Sequence, residues 1–485
     1  MAAVNEKVKA LLDECEKAAK RILEHAEDRG SFLIISHRDA DGLSAAGILG
    51  TALLRVDASF RIRIERWMDE KVADEIASEK DFFIIMSDMG GGSLDIIKEK
   101  IKGKTLAILD HHQTASVHDE SIVHVNPSLV GIDSALDISG AGTAYLTAKA
   151  ISERNVDLAH LAVVGALGDL QDKYEGRKLG GVNSLIVEDA VKAGYLEVET
   201  DILLFGRETR PIHKALAYTS TPFIPGLSGE EDKCLAFLTQ HGITLKKDEK
   251  WRALRDLSFE EKQKIFSSLS EYLASMGYKS EVAMSLLGAV YVLTREEAWT
   301  PLRDAREYAL LLNATGRTGK AGLGVAICMG DRGKCLEEAS AALEEYRQII
   351  TFCLKWLNAN PDRIEEMENI YVVHGGQTID EKVISAISTI LSTNMPKIEK
   401  PLIAYSLVPE ENLAKFSART VEALTSRGFN LGEIMRIAAE KFSGNGGGHN
   451  IAAGAHVPID RKDSFIKYVD ELVKINLQRL KKDGS

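Results

Sequence analysis

Three short apolar runs, FLIIS at 32–36, FFIIM at 82–86 and TLAIL at 105–109, each stop directly before acidic or imidazole side chains. Continuous apolar runs of this length predict strands buried on both faces. Helix-like stretches separate them, so the strands are expected to lie parallel in one sheet, with the residues that follow them gathered at its carboxyl edge. Those residues are HRDADG at 37–42, SDMG at 87–90 and DHH at 110–112. In the first 30 residues Val4, Val8, Leu11, Leu12, Cys15, Ala19, Ile22, Leu23 and Ala26 recur at helical spacing, predicting an amphipathic packing helix and not a signal peptide.

The α/β alternation predicts a first domain over residues 1–205, with a helix from Thr143 to Glu153 after a flexible SGAG turn. Residues 206–330 predict a mainly helical inserted domain with a proline-rich turn around Pro222 and Pro225. Residues 331–368 read as a helical connector. From 369 to 485 the strand-like IYVVHG, the helix ISAISTILST, the strand LIAYSLV and a glycine-rich loop predict a second, smaller α/β domain. Two lobes joined by a connector imply a cleft between them.

Composition narrows the picture. The 485 residues are 45% hydrophobic and 27% charged, as in a soluble globular protein of two or three domains. No apolar run reaches the roughly 18 residues of a membrane span, so no membrane is expected. Cys15, Cys234, Cys328, Cys335 and Cys353 are odd in number and lack a CxxC pair, which argues against disulfides or structural zinc and for a reducing cytoplasm. Cys328, within GVAICMG, is expected in the core. A formal net charge of −12 opposes an extended nucleic-acid footprint. It leaves room for a local basic lining, for which Arg207, Arg210, Arg317, Arg419, Arg427, Arg436 and Lys441 are the candidates.

The chemistry follows from the strand ends. Asp39, Asp41, Asp88 and Asp110 buried close together would repel one another without compensating cations, and a His and Asp donor set suits Mn²⁺ first, with Mg²⁺ or Co²⁺ as alternatives. Two divalent ions are expected. In SGNGGGHNIAAGA, the backbone N–H groups of Gly446, Gly447 and Gly448 could close around a phosphate or a chain end, with His449 as a directional donor, or the run could be a tight turn. MGGGS at 89–93 is read as loop flexibility beside the site. Neither it nor GGQT at 375–378 fits GxxxxGK[ST], so no ATP-driven activity is expected. His118 and His124 receive no role.

HxDxDG, an isolated Asp after a strand, DHH, GALGDLQD at 165–172 and the GGGH run, in this order, resemble the DHH phosphoesterase superfamily. ISHRDADG, ILDHH, LFGRETRP, LLNATGR, SARTVEAL and NLGE are similar to archaeal RecJ-like nucleases of the GINS-associated type. Singly, DHH could be a helix cap and DADG an ordinary turn; five signals in one order are not explained that way. The resemblance implies a DHH catalytic domain, a DHH-associated substrate-binding domain, and one ion on His37 and Asp39. The other ion would rest on Asp41, His111 and Asp169, with Asp88 bridging. It also implies that His112 faces the substrate phosphate and that Arg419 grips substrate, with Asn313 and Arg317 as weaker candidates. Asp110 is expected to orient the histidines, and Asp172 to lie outside the ligand set. The implied function is a single-strand-specific exonuclease on DNA and possibly RNA in replication or repair, with GINS and the replisome as partners. A phosphodiesterase for short oligoribonucleotides or cyclic dinucleotides, and a replisome scaffold that binds GINS, are the alternatives.

Overall fold

The structure is a computed structural model that describes residues 2–79, 82–114, 122–219, 222–394 and 400–483; His118 lies outside them. The chain divides into two compact units, residues 1–343 and 344–485.

In the first unit the three apolar runs become β1 (Ser31–His37), β3 (Phe82–Ser87) and β4 (Leu106–Leu109), joined by β2 (Ser59–Glu65) and β5 (Ile122–Val125). All five pair in parallel in the order β2-β1-β3-β4-β5. β4 is buried throughout and β1 at every position but its two ends, because helices cover both faces, as a parallel sheet requires. Ser36 is in register with Ser87, and Ser87 with Leu109. His37, Asp88 and Asp110 therefore leave the sheet side by side. The expected α/β class with a parallel central sheet is the one observed.

The helices of this body are α1 (Ala2–Glu27), α2 (Ala40–Leu54), α3 (Glu70–Ser78), α4 (Leu94–Lys100), α5 (Gly140–Ile151), α6 (Ala159–Gly168) and α7 (Gly181–Lys192). α1 packs as the amphipathic pattern predicts, against α5 and β5. α2 is buried almost all round, between α5 and α6 on one side and helices from the end of the unit on the other. Small residues make that possible: a Cβ on Gly47 would lie 2.3 Å from the Cβ of Cys328.

The middle region opens with β6 (Leu196–Ile202) and continues through α8 (Ile212–Tyr218), α9 (Glu231–Gln240), a two-residue ladder of β7 (Lys246–Lys247) and β8 (Lys250–Trp251), α10 (Phe259–Ser275) and α11 (Ser280–Met284). It closes with β9 (Leu287–Leu293), antiparallel to β6. Its helices share a separate core built on Ile202, Leu216, Ile224, Leu238, Ile265 and Leu269. α12 (Ala305–Arg317) and α13 (Ala321–Cys328) then pack on α2, and α12 also on α6. α14 (Lys334–Ala359) contains the division between the units.

The second unit is a six-stranded sheet ordered β10 (Ile364–Glu366), β11 (Tyr371–Gly376), β12 (Leu402–Val408), β13 (Leu413–Arg419), β15 (Ala452–Pro458), β14 (Asn445–Gly448). α15 (Ile384–Asn394) lies on one face; after the short α16 (Glu422–Thr425), α17 (Leu431–Lys441) and α18 (Lys462–Asp483) cover the other around Phe416, Phe429, Met435 and Phe465. The glycine-rich run, expected as a loop, is thus the edge strand β14, hydrogen-bonded to β15 with Gly447 opposite Gly454. Close packing explains its glycines: a Cβ on Gly446 would lie 2.6 Å from the Met435 carbonyl oxygen, and one on Gly448 2.7 Å from that of Ala452.

Candidate metal centre

Local rules place each acidic residue. Asp39 is the N-cap of α2, its Oδ1 accepting from the Gly42 N–H at 3.0 Å. Gly42 has no room for a side chain, since a Cβ would stand 2.3 Å from the His37 carbonyl oxygen. Asp41, buried in the first turn of α2, accepts from Gly140 N–H at 2.7 Å and Ala141 N–H at 2.9 Å. These are the first donors of α5, which Ser139 caps. SGAG is therefore not a flexible turn before the helix but its cap and first turn, and its unpaired donors suit a carboxylate. Asp88 has φ 54°, a left-handed backbone that a non-glycine residue adopts at an energetic cost. A Cβ on Gly140 would meet Asp88 Oδ1 at 2.6 Å, and one on Gly165 would meet Asp41 Oδ1 at 2.4 Å.

These side chains converge as three groups: His37, Asp39 and Asp88; Asp41, His111 and Asp169; Asp88, His111 and His112. His37 Nδ1 is 2.9 Å from Asp39 Oδ2 and 3.7 Å from Asp88 Oδ2. His111 Nε2 is 3.3 Å from Asp169 Oδ2, 3.4 Å from Asp88 Oδ1 and 3.7 Å from Asp41 Oδ2. Asp88 belongs to two of the groups, and its carboxylate, 2% exposed, has both oxygens buried without a hydrogen bond. His111 Nδ1 lies 2.8 Å from the Ser134 carbonyl oxygen, to which it must donate, so the neutral ring turns the lone pair of Nε2 toward the carboxylates.

The electrostatics are those of a crowded acid site. Burial, with Asp41 and Asp39 alongside, pushes the Asp88 carboxyl well above the usual range. Burial also raises Asp169, to about 6, against the pull of His111. Burial would raise Asp39, but His37, the Gly42 N–H and the charge of Arg317 together lower it. For His111, burial favours the neutral ring, but Asp169, Asp41 and Asp110 raise it to about 9. His112 behaves likewise beside Asp110, also reaching about 9. Orphaned buried carboxylate oxygens and an oxygen and nitrogen donor set fit divalent cations.

Family models match the same segments: the DHH family N-terminal domain at residues 31–166, the DHH-CID domain at 204–287 and the DHHA1 domain at 369–475. Protein MJ0831 of Methanocaldococcus jannaschii is 33% identical over 476 residues, spanning 96% of this chain and 99% of that one. This chain belongs to the DHH family. Its fold is RecJ-like: RecJ from Thermus thermophilus in complex with Mn²⁺ matches 95% of the chain at TM-score 0.57 and 16% identity, and the chain spans 55% of that RecJ. CDC45 from Entamoeba histolytica matches at TM-score 0.64 and 13% identity, over 96% of this chain and 99% of that one. The DHH match supports a phosphoesterase, a hydrolase of phosphate esters. No helix among the described residues is long and apolar enough to cross a membrane.

Around this DHH centre other expected residues take different parts. Asp110 Oδ1 accepts from His112 Nδ1 and from the His111 backbone N–H, each at 2.8 Å, while the His111 ring lies against the Ser134 carbonyl oxygen. Asp110 Oδ2 accepts from Gly91 N–H at 2.7 Å, and a Cβ on Gly91 would stand 2.8 Å from it, so Gly91 serves close approach. Asp172 is buried, 2% exposed, and pairs with Arg177 and Arg306, each at 2.8 Å. Asn313 accepts from the Ala40 N–H at 3.0 Å, and the charge of Arg317 acts on Asp39.

The proposed basic lining is largely committed elsewhere. Arg207 is buried at 5% exposure and pairs with Asp201 at 2.6 Å and Asp304 at 3.7 Å, so it is an internal ion pair and not a substrate contact. Arg210 lies over the rings of Phe205 and Tyr218, Arg436 pairs with Glu440, and Lys441 lies 3.5 Å from the Tyr468 ring centroid. In the second unit Arg419 donates to Thr389 Oγ1 and Ser385 Oγ, each at 2.9 Å, and to the Ala418 carbonyl. His449 donates its backbone N–H to the Ala452 carbonyl at 2.8 Å, within the β14–β15 turn. Sequence reasoning missed Ser134, Gly140 and Ala141. They act through backbone groups that nearly every residue type carries; only the N-cap signal of Ser139 could have pointed to the last two.

Proposed function

We propose that this DHH phosphoesterase is a two-metal exonuclease that hydrolyses phosphodiester bonds of single-stranded DNA, with RNA as a further substrate, in replication or repair. The observation that carries the reading is Asp88, a fully buried carboxylate shared by two ligand groups with neither oxygen hydrogen-bonded. His37 and Asp39 would hold one ion, Asp41, His111 and Asp169 the other, and Asp88 both; Mn²⁺ suits the mixed imidazole and carboxylate set. When bound, the ions supply a water of lowered pKa and neutralise charge on the scissile phosphate.

The chain's own residues set the geometry of the reaction. Ser134 fixes the His111 ring and α5 fixes Asp41, so that neither must reorganise as a ligand. Asp110, 2.8 Å from His112 Nδ1, favours the protonated ring, which would donate to a phosphate oxygen as negative charge builds on it. Arg419 and His449, in the second unit, would bind the substrate chain. The reading extends to a replication partner, the GINS complex, docking on the inserted domain.

End-labelled single-stranded DNA, duplex DNA and RNA incubated with Mn²⁺ or with chelator provide the test. Stepwise shortening of single strands that chelator abolishes is the expected result. Cleavage that survives chelator, or that is confined to cyclic dinucleotides and very short oligomers, would overturn it. Co-purification with archaeal GINS subunits tests the partner separately.

A further inference from the structure

The ligand groups share one stretch of backbone. Asp39 belongs to the group with His37 and Asp88, Asp41 to the group with His111 and Asp169, and only Ala40 lies between them. Its N–H is bonded from outside the loop by Asn313 Oδ1 at 3.0 Å. Asn313 sits on α12, and α12 meets the same loop through its backbone: a Cβ on Gly316 would lie 1.7 Å from the Arg38 carbonyl oxygen. The far end of α12 is anchored too. Asp304 caps it, accepting from the N–H groups of Arg306 and Glu307, and buried Glu307 accepts from Glu208 N–H at 2.7 Å and Thr209 Oγ1 at 2.6 Å. The helix is therefore a strut fixed at both ends.

The chemistry of a helix start explains why the bond matters. Ala40 is the first residue of α2, and the first-turn N–H groups need acceptors outside the helix. Asp39 Oδ1 already takes the Gly42 N–H. With the Ala40 N–H taken by Asn313, Asp39 Oδ2 is left beside His37, where an ion would sit. An amide does this without adding negative charge to four carboxylates.

We propose that Asn313 is a positioning residue that holds the Asp39–Asp41 segment at the spacing two divalent ions require, an inference that rests on the two-metal reading above. Mn²⁺ binding by calorimetry and electron paramagnetic resonance on the full chain, with Asn313→Ala, tests it. The wild type is expected to take two ions and show the signal of a coupled pair. The variant, melting at the wild-type temperature, should bind one of them about tenfold or more weakly and show the hyperfine pattern of isolated Mn²⁺. Its kcat should fall with little change in KM. Asn313→Asp, which retains the acceptor but adds one negative charge, should recover the coupled signal only in part. If Asn313→Ala does not fold, Asn313→Ser, too short to reach Ala40, is read in the same way. Two ions in the wild type and an unchanged coupled pair in the variant would overturn the inference alone, as would a rise in KM with metal binding intact. A wild type that takes no ion would overturn the two-metal reading and the inference with it.

Discussion

The carboxyl edge of the parallel sheet and the α15 face of the second unit's sheet both collect polar side chains, but in opposite states. At the first, Asp88 has two buried oxygens with no hydrogen bond and three like charges near it. At the second, Arg419 is bonded to Thr389 and Ser385, Ser388 Oγ lies 2.8 Å from Ser417 Oγ, and Lys415 pairs with Glu381 at 2.9 Å. A buried unsatisfied polar group costs on the order of 1–3 kcal/mol, so such a cluster persists where a ligand offsets it. A satisfied cluster exchanges one set of hydrogen bonds for another when it meets substrate, and the net gain is modest. The two regions should therefore respond very differently to substitution.

The largest effect is expected at the unsatisfied edge. Asp88→Asn should lower metal-dependent hydrolysis about a thousandfold or more, several kcal/mol of barrier, while the metal-free protein melts no lower than wild type. Full activity in steady-state assays would erase the contrast between the two regions. Arg207→Ala probes a buried pair that is satisfied: stripping Asp201 and Asp304 of their partner should cost about 3–5 kcal/mol in urea unfolding. A loss below about 1 kcal/mol would show that burial of these charges was not the determining feature.

At the second unit, Arg419→Ala should raise KM about tenfold, as losing one hydrogen bond to a charged group implies, and leave kcat and Mn²⁺ affinity unchanged. Lost Mn²⁺ affinity in calorimetry would break the division of labour.

pH offers a finer probe of the same edge. The folded pKa of Asp169 is raised from 3.8 to about 6, so the fold favours its protonated form and metal-free stability falls as pH rises across that interval. That of His111 is raised from 6.5 to about 9, so its contribution is complete below 6.5 and lost as pH climbs to 9. Thermal melts of metal-free protein should thus decline toward alkaline pH, and Mn²⁺ should stabilise more at pH 8 than at pH 6, because ligand binding requires the deprotonated forms. A metal-free melting temperature that climbs between pH 6.5 and 9 would contradict this. The smallest effect belongs to Arg436→Ala, an exposed pair with Glu440, which should change stability by about 0.5 kcal/mol or less and leave KM unaltered.

Much of the candidate site was legible along the chain, because a buried parallel strand announces itself by a continuous apolar run and the residues that follow stand at the sheet's carboxyl edge. His37, Asp88 and Asp110 follow that rule directly. The glycine-rich run was not legible as a strand: glycine has low strand propensity, and its presence there answers to the Met435 and Ala452 carbonyls, which only packing brings near. Charge alone misled equally at Arg207, since a cation destined for a buried Asp201 and one destined for a phosphate look the same in sequence.

What the sequence determined by itself was the class of fold, the order of its segments and the acidic and imidazole residues of the candidate site, all consequences of local periodicity and of side chains that differ from their neighbours. Only the tertiary structure decided how those residues are held. The Gly140 N–H on Asp41 spans 99 positions and the Ala40 N–H on Asn313 spans 273, and each uses a backbone group common to nearly every residue. Such bonds have no signature along the chain; the folded path that joins their ends creates them.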